Sequence, residues 1–307
     1  MKKILIAGGS GFIGSELKNH FLKSGNKVFI LTRNPKKEND IYWDPKNNKI
    51  EPDFLGEIDV LINLCGANIA EKKWSVKRKK TLINSRVEST MFLYSMMPQF
   101  SKLSVYIGVS GVNCFGNTNE KKVFNEKDPI STDFLSTLIK EWENAHQLFS
   151  KKIPTIILRL PVVLAKNKGM LKRMKLPFWL GLGSVIGDGE QIINWMSISD
   201  LKVAFSHVLR SNLKGTYLLG ASNDNNQTFS KSLAKALNRI ILLPKTPKWI
   251  IKKIFGEMST LLLNGNYISS EKFIQTNFTY KDTNINQVLN GLYTNNVPKN
   301  KEDVLDL

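Results

Sequence analysis

The chain has 307 residues, 42% hydrophobic and 23% charged, the balance of a soluble globular protein long enough to bury a full core. No apolar run reaches the roughly 18 residues a membrane helix requires, and Cys65 and Cys114 stand far apart without metal-ligand spacing. A spanning segment, a disulfide framework and a cysteine metal centre are therefore excluded, and a reducing compartment, the cytoplasm, is expected. The formal net charge is +18, which invites a nucleic-acid or anionic-surface partner. Yet the lysines are mostly spread out, with short clusters such as "KKWSVKRKK" at 72–80, and no basic module interleaved with aromatics occurs. Compositional drift and solvated faces read better. Neither a specific nucleic acid nor a membrane partner is expected, although part of the excess favours a phosphate-bearing ligand.

The chain opens "MKKILIAGGSGFIGSELK". A signal peptide needs an unbroken apolar stretch, but Ile4–Ala7 is only four residues long before two glycines. Ile13, Leu17 and Phe21 then recur at helical spacing, and "GNKVFILTRN" follows as a second buried strand. Strand, glycine turn, helix and strand make a βαβ unit. Gly8, Gly11 and Gly14, with the extra Gly9, then have assignable work: a tight turn, close approach to a pyrophosphate, and close helix–sheet packing. Backbone N–H groups along Gly8, Gly9, Ser10, Gly11, Phe12, Ile13 and Gly14 would face the phosphates of a dinucleotide. At the end of the second strand an NAD site usually carries Asp or Glu; here stand Thr32, Arg33 and Asn34. Arg33 either binds a 2′-phosphate or is an ordinary surface arginine. The first reading, with Thr32 beside it, predicts NADP in preference to NAD.

The alternation continues. "IDVLINLCGA" (58–67) reads as a parallel strand, and a helix is predicted over roughly 75–97 with Ile83, Val87, Met91 and Tyr94 on its buried face. "LSVYIGVS" (103–110) is a further strand, 132–149 a helix with the stripe Leu135, Leu138, Ile139, Trp142 and Phe149, and "PTIILRL" (154–160) the next strand. Strands alternating with helices predict an α/β fold, a doubly wound parallel sheet of the Rossmann type. Beyond about 165 the rhythm loosens. "KLPFWLGLGSVIGDG" reads as a loop that closes over a ligand. Helices are expected at 197–209, 228–238, 247–263, 269–275 and 284–292, a short strand near "GTYLLGA", and a loose tail after 294. The expected division is a dinucleotide-binding domain over 1–165, with contributions from 190–222, and a smaller, mainly helical substrate-side domain over 166–307.

Four strings stand out: "GGSGFIG" (8–14), "INLCGANIAEKKWSVKRKKTLINSRVEST" (62–90), "PFWLGLG" with "NWMSISDL", and "FGEMSTLLLNGNYISSEKF" near the C-terminus. On these strings the chain closely resembles the short-chain dehydrogenase/reductase superfamily. Within it, the chain resembles the epimerase-like family whose members often go by the name of nucleotide-sugar epimerases, and some by that of cell-division inhibitors. The resemblance implies that Leu64, Cys65, Gly66 and Ala67 lie along the cofactor's adenosine side and that Pro161 and Val162 approach the nicotinamide. It places Ser110 where the superfamily keeps its catalytic serine, the alternative being a hydroxyl that merely caps a strand end. Arg86, in the family's SRV string, either faces the cleft or packs. A small-molecule substrate is implied, a nucleotide sugar among the candidates, and a homodimer is allowed.

The chain also departs from the family. The family's Gly-Tyr-Tyr-Gly after the serine is here Asn113-Cys114-Phe115-Gly116, and its His in a later string is Ser197. The superfamily's Tyr-x-x-x-Lys is missing too: no tyrosine lies between Tyr106 and Tyr217, and Leu135 and Ile139 occupy the aligned positions. His20, His146 and His207 fall in helical patterns that suggest packing. Two functions stay open: an NADP-dependent enzyme of atypical design acting on a nucleotide sugar or related carbonyl or hydroxyl substrate, and a catalytically silent, cofactor-binding regulator, for example of cell division.

Overall fold

The computed structural model describes residues 1–51, 54–116 and 122–293. Strand β1 (Lys3–Ala7), helix α1 (Phe12–Lys23) and strand β2 (Lys27–Thr32) form the opening βαβ unit. Strands β3 (Asp40–Asp44), β4 (Lys49–Ile50) and β5 (Val60–Asn63) follow, then helix α2 (Val76–Ser95), β6 (Val105–Gly111) and the short β7 (Val123–Phe124). Helix α3 (Phe134–Gln147) leads to β8 (Thr155–Leu160), β9 (Val162–Leu164) and α4 (Gly169–Trp179). Next come β10 (Ile192–Ser197), α5 (Ile198–Arg210), β11 (Gly215–Leu218), β12 (Ser222–Asn225) and α6 (Asn226–Ala236). The last elements are α7 (Lys248–Phe255), α8 (Thr260–Leu263), β13 (Tyr267–Ile268), α9 (Glu271–Ile274) and α10 (Ile285–Tyr293).

Eight strands form the main sheet in the order β11-β8-β6-β5-β1-β2-β3-β4, parallel throughout except for β4 at one edge. Alternate residues of β1 feed two apolar clusters. Ile4 and Ile6 pack with Leu17 and Phe21 of α1; Leu5 and Ala7 pack with Phe92 and Leu93 of α2. β1 pairs with β2 on one side and β5 on the other, so the strand order reverses there. That reversal opens a crevice at the carboxyl ends of β1 and β5, the usual ligand site of such sheets. α5 covers α1, with His20 Nε2 2.7 Å from Ser206 Oγ, and β11 extends the main sheet beside β8.

Several elements differ from the sequence-based expectations. β3 was not anticipated; Ile41 and Trp43 bury its inner face, and Asp40 closes the preceding turn by accepting the N–H groups of Lys36 and Lys37. α2 buries another face than predicted. Met91 is 45% exposed, whereas Leu82, Arg86, Ser89 and Thr90 lie inside. The buried hydroxyls of that face satisfy themselves on the helix's own carbonyls, Ser89 Oγ on Ser85 O and Thr90 Oγ1 on Arg86 O, both at 2.7 Å. Hydrophobic periodicity has no sight of such polar burial. The first residues of "KLPFWLGLGSVIGDG" are helical, since α4 runs to Trp179 with Pro177 inside its last turn. β9, β10 and β12 form a small second sheet. The long helix expected over 247–263 breaks at Gly256, whose φ of 59° is outside the helical region. The tail after 294 lies outside the described residues.

Candidate functional site

The turn after β1 is built on close backbone approach. Gly8 has φ +78°, and a Cβ there would lie 2.9 Å from the Leu64 carbonyl, so only glycine lets the ends of β1 and β5 come together. A Cβ on Gly14 would strike Gly8 O and the Gly9 backbone. Gly11 is different: a Cβ there would meet only Gly8 O, at 3.3 Å, and otherwise open space. Gly11 is the N-cap of α1, with no side-chain cap and no acidic residue in the first turn. The first N–H groups of α1 and the positive end of its dipole are thus left for an anionic ligand, with Ser10 and Gly11 exposed and Phe12 and Ile13 half-buried.

At the end of β2, Thr32 Oγ1 accepts from Asn34 N at 3.2 Å. Arg33 is exposed, and no hydrogen bond or ion pair engages it among the described residues. The loop after β5 is held from both sides. Leu64 N donates to Ala7 O at 2.9 Å and Cys65 N to Asn63 Oδ1 at 3.0 Å. From α2, Ser85 Oγ accepts from Ala67 N at 3.0 Å, and Arg86 Nη2 donates to Ala67 O at 3.1 Å. Burial pushes the Cys65 thiol up to about 12, so it is a packing group and not a nucleophile. Arg86 is buried beneath Gly66, where a Cβ would lie 2.9 Å from its guanidinium carbon. No carboxylate pairs with it among the described residues; its guanidinium sits 4.9 Å from the Trp142 ring and its Nε is unpartnered. Burial, with the Arg78 charge adding, pulls it down to about 10, still cationic at neutral pH.

Ser110 lies at the expected strand end, 4% exposed, and its hydroxyl is committed. Oγ donates to Glu143 Oε1 at 2.6 Å. The same carboxylate takes two hydrogen bonds from Arg159, Nε and Nη2 each at 2.8 Å, while Arg159 Nη1 has no partner. Ser110 and Arg159 are register neighbours on β6 and β8, and Glu143 reaches them from α3. Leu135 and Ile139 are buried on the same helix, so no proton donor stands at the aligned Tyr-x-x-x-Lys positions. Pro161 is buried and Val162 half-buried where the chain leaves the main sheet for β9, which pairs Val162 with Trp195.

The histidines are all tied. His146 is fully buried, its Nε2–H on Val109 O at 3.0 Å and its Nδ1 accepting the Tyr106 hydroxyl at 2.6 Å. Burial pulls His146 down to about 4. His207 lies 2.8 Å from Thr276 Oγ1. Ser197 caps α5 by accepting from Asp200 N at 3.0 Å.

Beyond the end of β6 opens a cleft of about 100 Å³. Val112, Asn113, Phe134 and Leu135 form one wall; Asn194, Glu257, Thr260, Asn264 and Asn266 form the other. Asn194 Nδ2 donates to Asn266 O at 3.0 Å, and Asn266 Nδ2 to Gly116 O at 2.7 Å, which locks the two walls together. Lys79 and Glu257 pair across them at 2.5 Å. The second wall was missed in the sequence, although the asparagines of "LLLNGNYIS" were in view as a feature of the C-terminal string. Among the described residues no group of His, Cys, Asp and Glu could hold a metal ion, and no helix is long and apolar enough to cross a membrane.

The model of the NAD dependent epimerase/dehydratase family matches residues 4–220, most of the chain and all of the glycine turn, the Ser110 strand and β11. The chain belongs to this family. A domain of unknown function (DUF1731) matches residues 246–292, which supply the second wall of the cleft apart from Asn194. The chain is 33% identical over 260 residues to an epimerase family protein of Mycobacterium bovis, spanning 83% of this chain and 85% of that one. It is similar to the human epimerase family protein SDR39U1, crystallised with NADPH: TM-score 0.87, 28% identity, 95% of this chain and 99% of that one. It shares its fold with a UDP-glucuronic acid 4-epimerase from Bacillus cereus, solved with UDP-glucuronic acid and NAD: TM-score 0.77, 18% identity, 95% and 98% coverage.

Proposed function

We propose that this chain binds NADP(H) in the crevice between β1, β2 and β5, and acts on a nucleotide sugar or a related carbonyl or hydroxyl substrate in the adjoining cleft. The observation that carries the reading is the exposed Arg33 at the end of β2, engaged in no ion pair among the described residues, where the sequence lacks the Asp or Glu of an NAD site. NADPH bound to the human relative supports it. The N–H groups of the 8–14 turn would take the pyrophosphate, Thr32 and Arg33 the 2′-phosphate, and Leu64–Ala67 the adenosine side, with Pro161 and Val162 beside the nicotinamide. Arg86 acts through the loop it pins, and its unbalanced charge adds to the attraction for phosphate. When bound, the cofactor supplies or accepts a hydride. The amide-rich cleft suits the many hydroxyls of a sugar.

The chain's own proton chemistry is unusual. Because the Ser110 hydroxyl donates its hydrogen bond to Glu143, it presents lone pairs, and it orients a ligand by accepting from a hydroxyl rather than by donating to a carbonyl. With Leu135 and Ile139 apolar, a general-acid contribution of about 10²–10⁴-fold is missing. That specific observation favours a second reading, a cofactor-binding regulator with little or no turnover. Calorimetric titration of NADPH and NADH, followed by NADPH oxidation with aldehyde, ketone and nucleotide-sugar panels, tests both. NADPH bound tightly with slow or absent turnover is expected. Tighter NADH binding would remove the cofactor assignment, and fast turnover that collapses in Ser110→Ala would restore an ordinary reductase.

A further inference from the structure

Among the described residues, nine of the seventeen exposed large hydrophobic side chains come from two short stretches, 176–182 and 240–254. The two stretches belong to one surface. Arg239 Nε donates to Trp179 O at 2.8 Å, with its guanidinium 5.6 Å from the Trp179 ring. A little further on, Gly187 N donates to Thr246 O and Thr246 N to Val185 O, both at 2.8 Å, in a parallel bridge. This pairing lays Trp179, Leu180 and Leu182 beside Ile240 and Leu242, and the chain then enters α7 at Trp249. Ile240, Leu242 and Trp249 are 74%, 73% and 64% exposed. Exposed apolar side chains scattered singly need no explanation; a gathered patch marks a partner.

The charges around the patch say which partner. Segments 166–183 and 239–256 carry ten lysines and arginines and no aspartate or glutamate, more than half of the net charge of +18. Lys168 pairs with Glu16, Arg173 donates to Ala70 O, and Lys248 pairs with Asp188. Lys172, Lys175, Lys252 and Lys253 have no ion-pair partner among the described residues. On α7, Ile251 is buried, while Trp249 and Ile254 point outward with Lys252 and Lys253 between them. Apolar side chains set among an excess of cations, with Asp188 and Glu16 each tied to a lysine, complement the headgroup boundary of an anionic bilayer. There aliphatic side chains and tryptophan enter the acyl edge and lysines stay with the phosphates.

We propose that the face built from the end of α4, residues 180–182, residues 240–243 and α7 docks on an anionic lipid bilayer without crossing it. This departs from the sequence-based expectation of mostly spread-out lysines with short clusters and no membrane partner: folding brings together two cationic segments that lie far apart in the chain. α7 runs at once into Glu257 and Thr260 of the cleft, so docking holds the cleft close to the bilayer. The proposal does not depend on what the cleft binds.

Co-sedimentation of the full chain with vesicles at physiological salt tests it. The chain should sediment with vesicles of equal parts phosphatidylglycerol and phosphatidylcholine, and stay in solution with phosphatidylcholine alone. Leu242→Ser combined with Trp249→Ser should weaken partitioning by about tenfold or more, since each removes an apolar side chain from the acyl edge. Lys252→Gln with Lys253→Gln should remove the preference for the anionic vesicles. Lys77→Gln with Lys80→Gln, on α2, should leave partitioning nearly unchanged. Equal binding by the wild-type chain and the Leu242/Trp249 variant would reduce the effect to bulk basicity and overturn the proposal, as would no binding at all. A concentration-dependent dimer in light scattering that this variant abolishes would assign the face to a second copy of the chain instead.

Discussion

Arg33 and Glu143 show how differently two charges work in one fold. Arg33 is exposed, and its value lies in what it has yet to meet. Charge-assisted hydrogen bonds contribute about 1.5–3 kcal/mol, so Arg33→Ala should weaken NADPH by about tenfold or more and leave NADH nearly unchanged, as read by calorimetry. Glu143 is buried and already doubly bonded by Arg159. Glu143→Ala strands a buried guanidinium and should cost about 3–5 kcal/mol of stability by chemical denaturation, whereas Ser110→Ala removes one hydrogen bond to the carboxylate and should cost less. His146 makes stability depend on pH. Its folded value of about 4 lies below the ordinary 6.5, so between those values the unfolded chain takes up a proton that the folded chain refuses. Its contribution is therefore complete above pH 6.5 and is lost as pH falls toward 4, by about 3 kcal/mol in all. Denaturation curves across that range should show the loss, and His146→Gln should flatten it.

Among the elements, α1 depends most on a missing atom. Its first turn can sit against the end of β1 only because Gly14 leaves room for Gly8 O and the Gly9 backbone. Gly14→Ala forces the helix off the turn, an overpacking cost of about 1–3 kcal/mol, and swings the free N–H groups out of line. Loss of NADPH binding with the secondary structure retained, measured by fluorescence titration beside circular dichroism, is the expected result. α2 teaches the opposite lesson. Its sequence carries apolar residues on more than one face, and the face that went inside holds Arg86, Ser89 and Thr90, because these groups find partners on the helix itself and on the loop after β5.

Across the whole molecule, the parts are stitched rather than merely adjacent. Asp200, 2% exposed at the start of α5, accepts the N–H groups of Lys281 at 3.1 Å and Asp282 at 3.0 Å, binding the last segment to the helix that covers α1. Asp200→Ala leaves those donors unsatisfied at a cost of about 1–3 kcal/mol. Limited proteolysis should then cut near residue 281 faster, while NADPH affinity stays close to that of the unaltered chain. β13 adds a second tie, pairing Tyr267 with Val123 and Ile268 with Phe124.

The opening βαβ unit, the parallel sheet, the absence of an acid after β2 and the loss of Tyr-x-x-x-Lys were all legible in the amino-acid order. The first two rest on periodicity and glycine spacing within short stretches; the two absences show only against the pattern of dinucleotide folds and of the superfamily the chain resembles. What the order could not disclose depends on distant partners. The Ser110 hydroxyl donates its hydrogen bond to a carboxylate 33 positions away, which is itself held by an arginine 16 positions further on. The second wall of the cleft comes from Asn194, Glu257, Asn264 and Asn266, brought opposite Asn113 and Leu135 only by the chain's return past β10. Lysines that read as mostly spread out become a cationic rim because two segments align at Thr246. Local pattern settles which elements form; close packing between remote elements settles which side chains are buried, paired or left free to act.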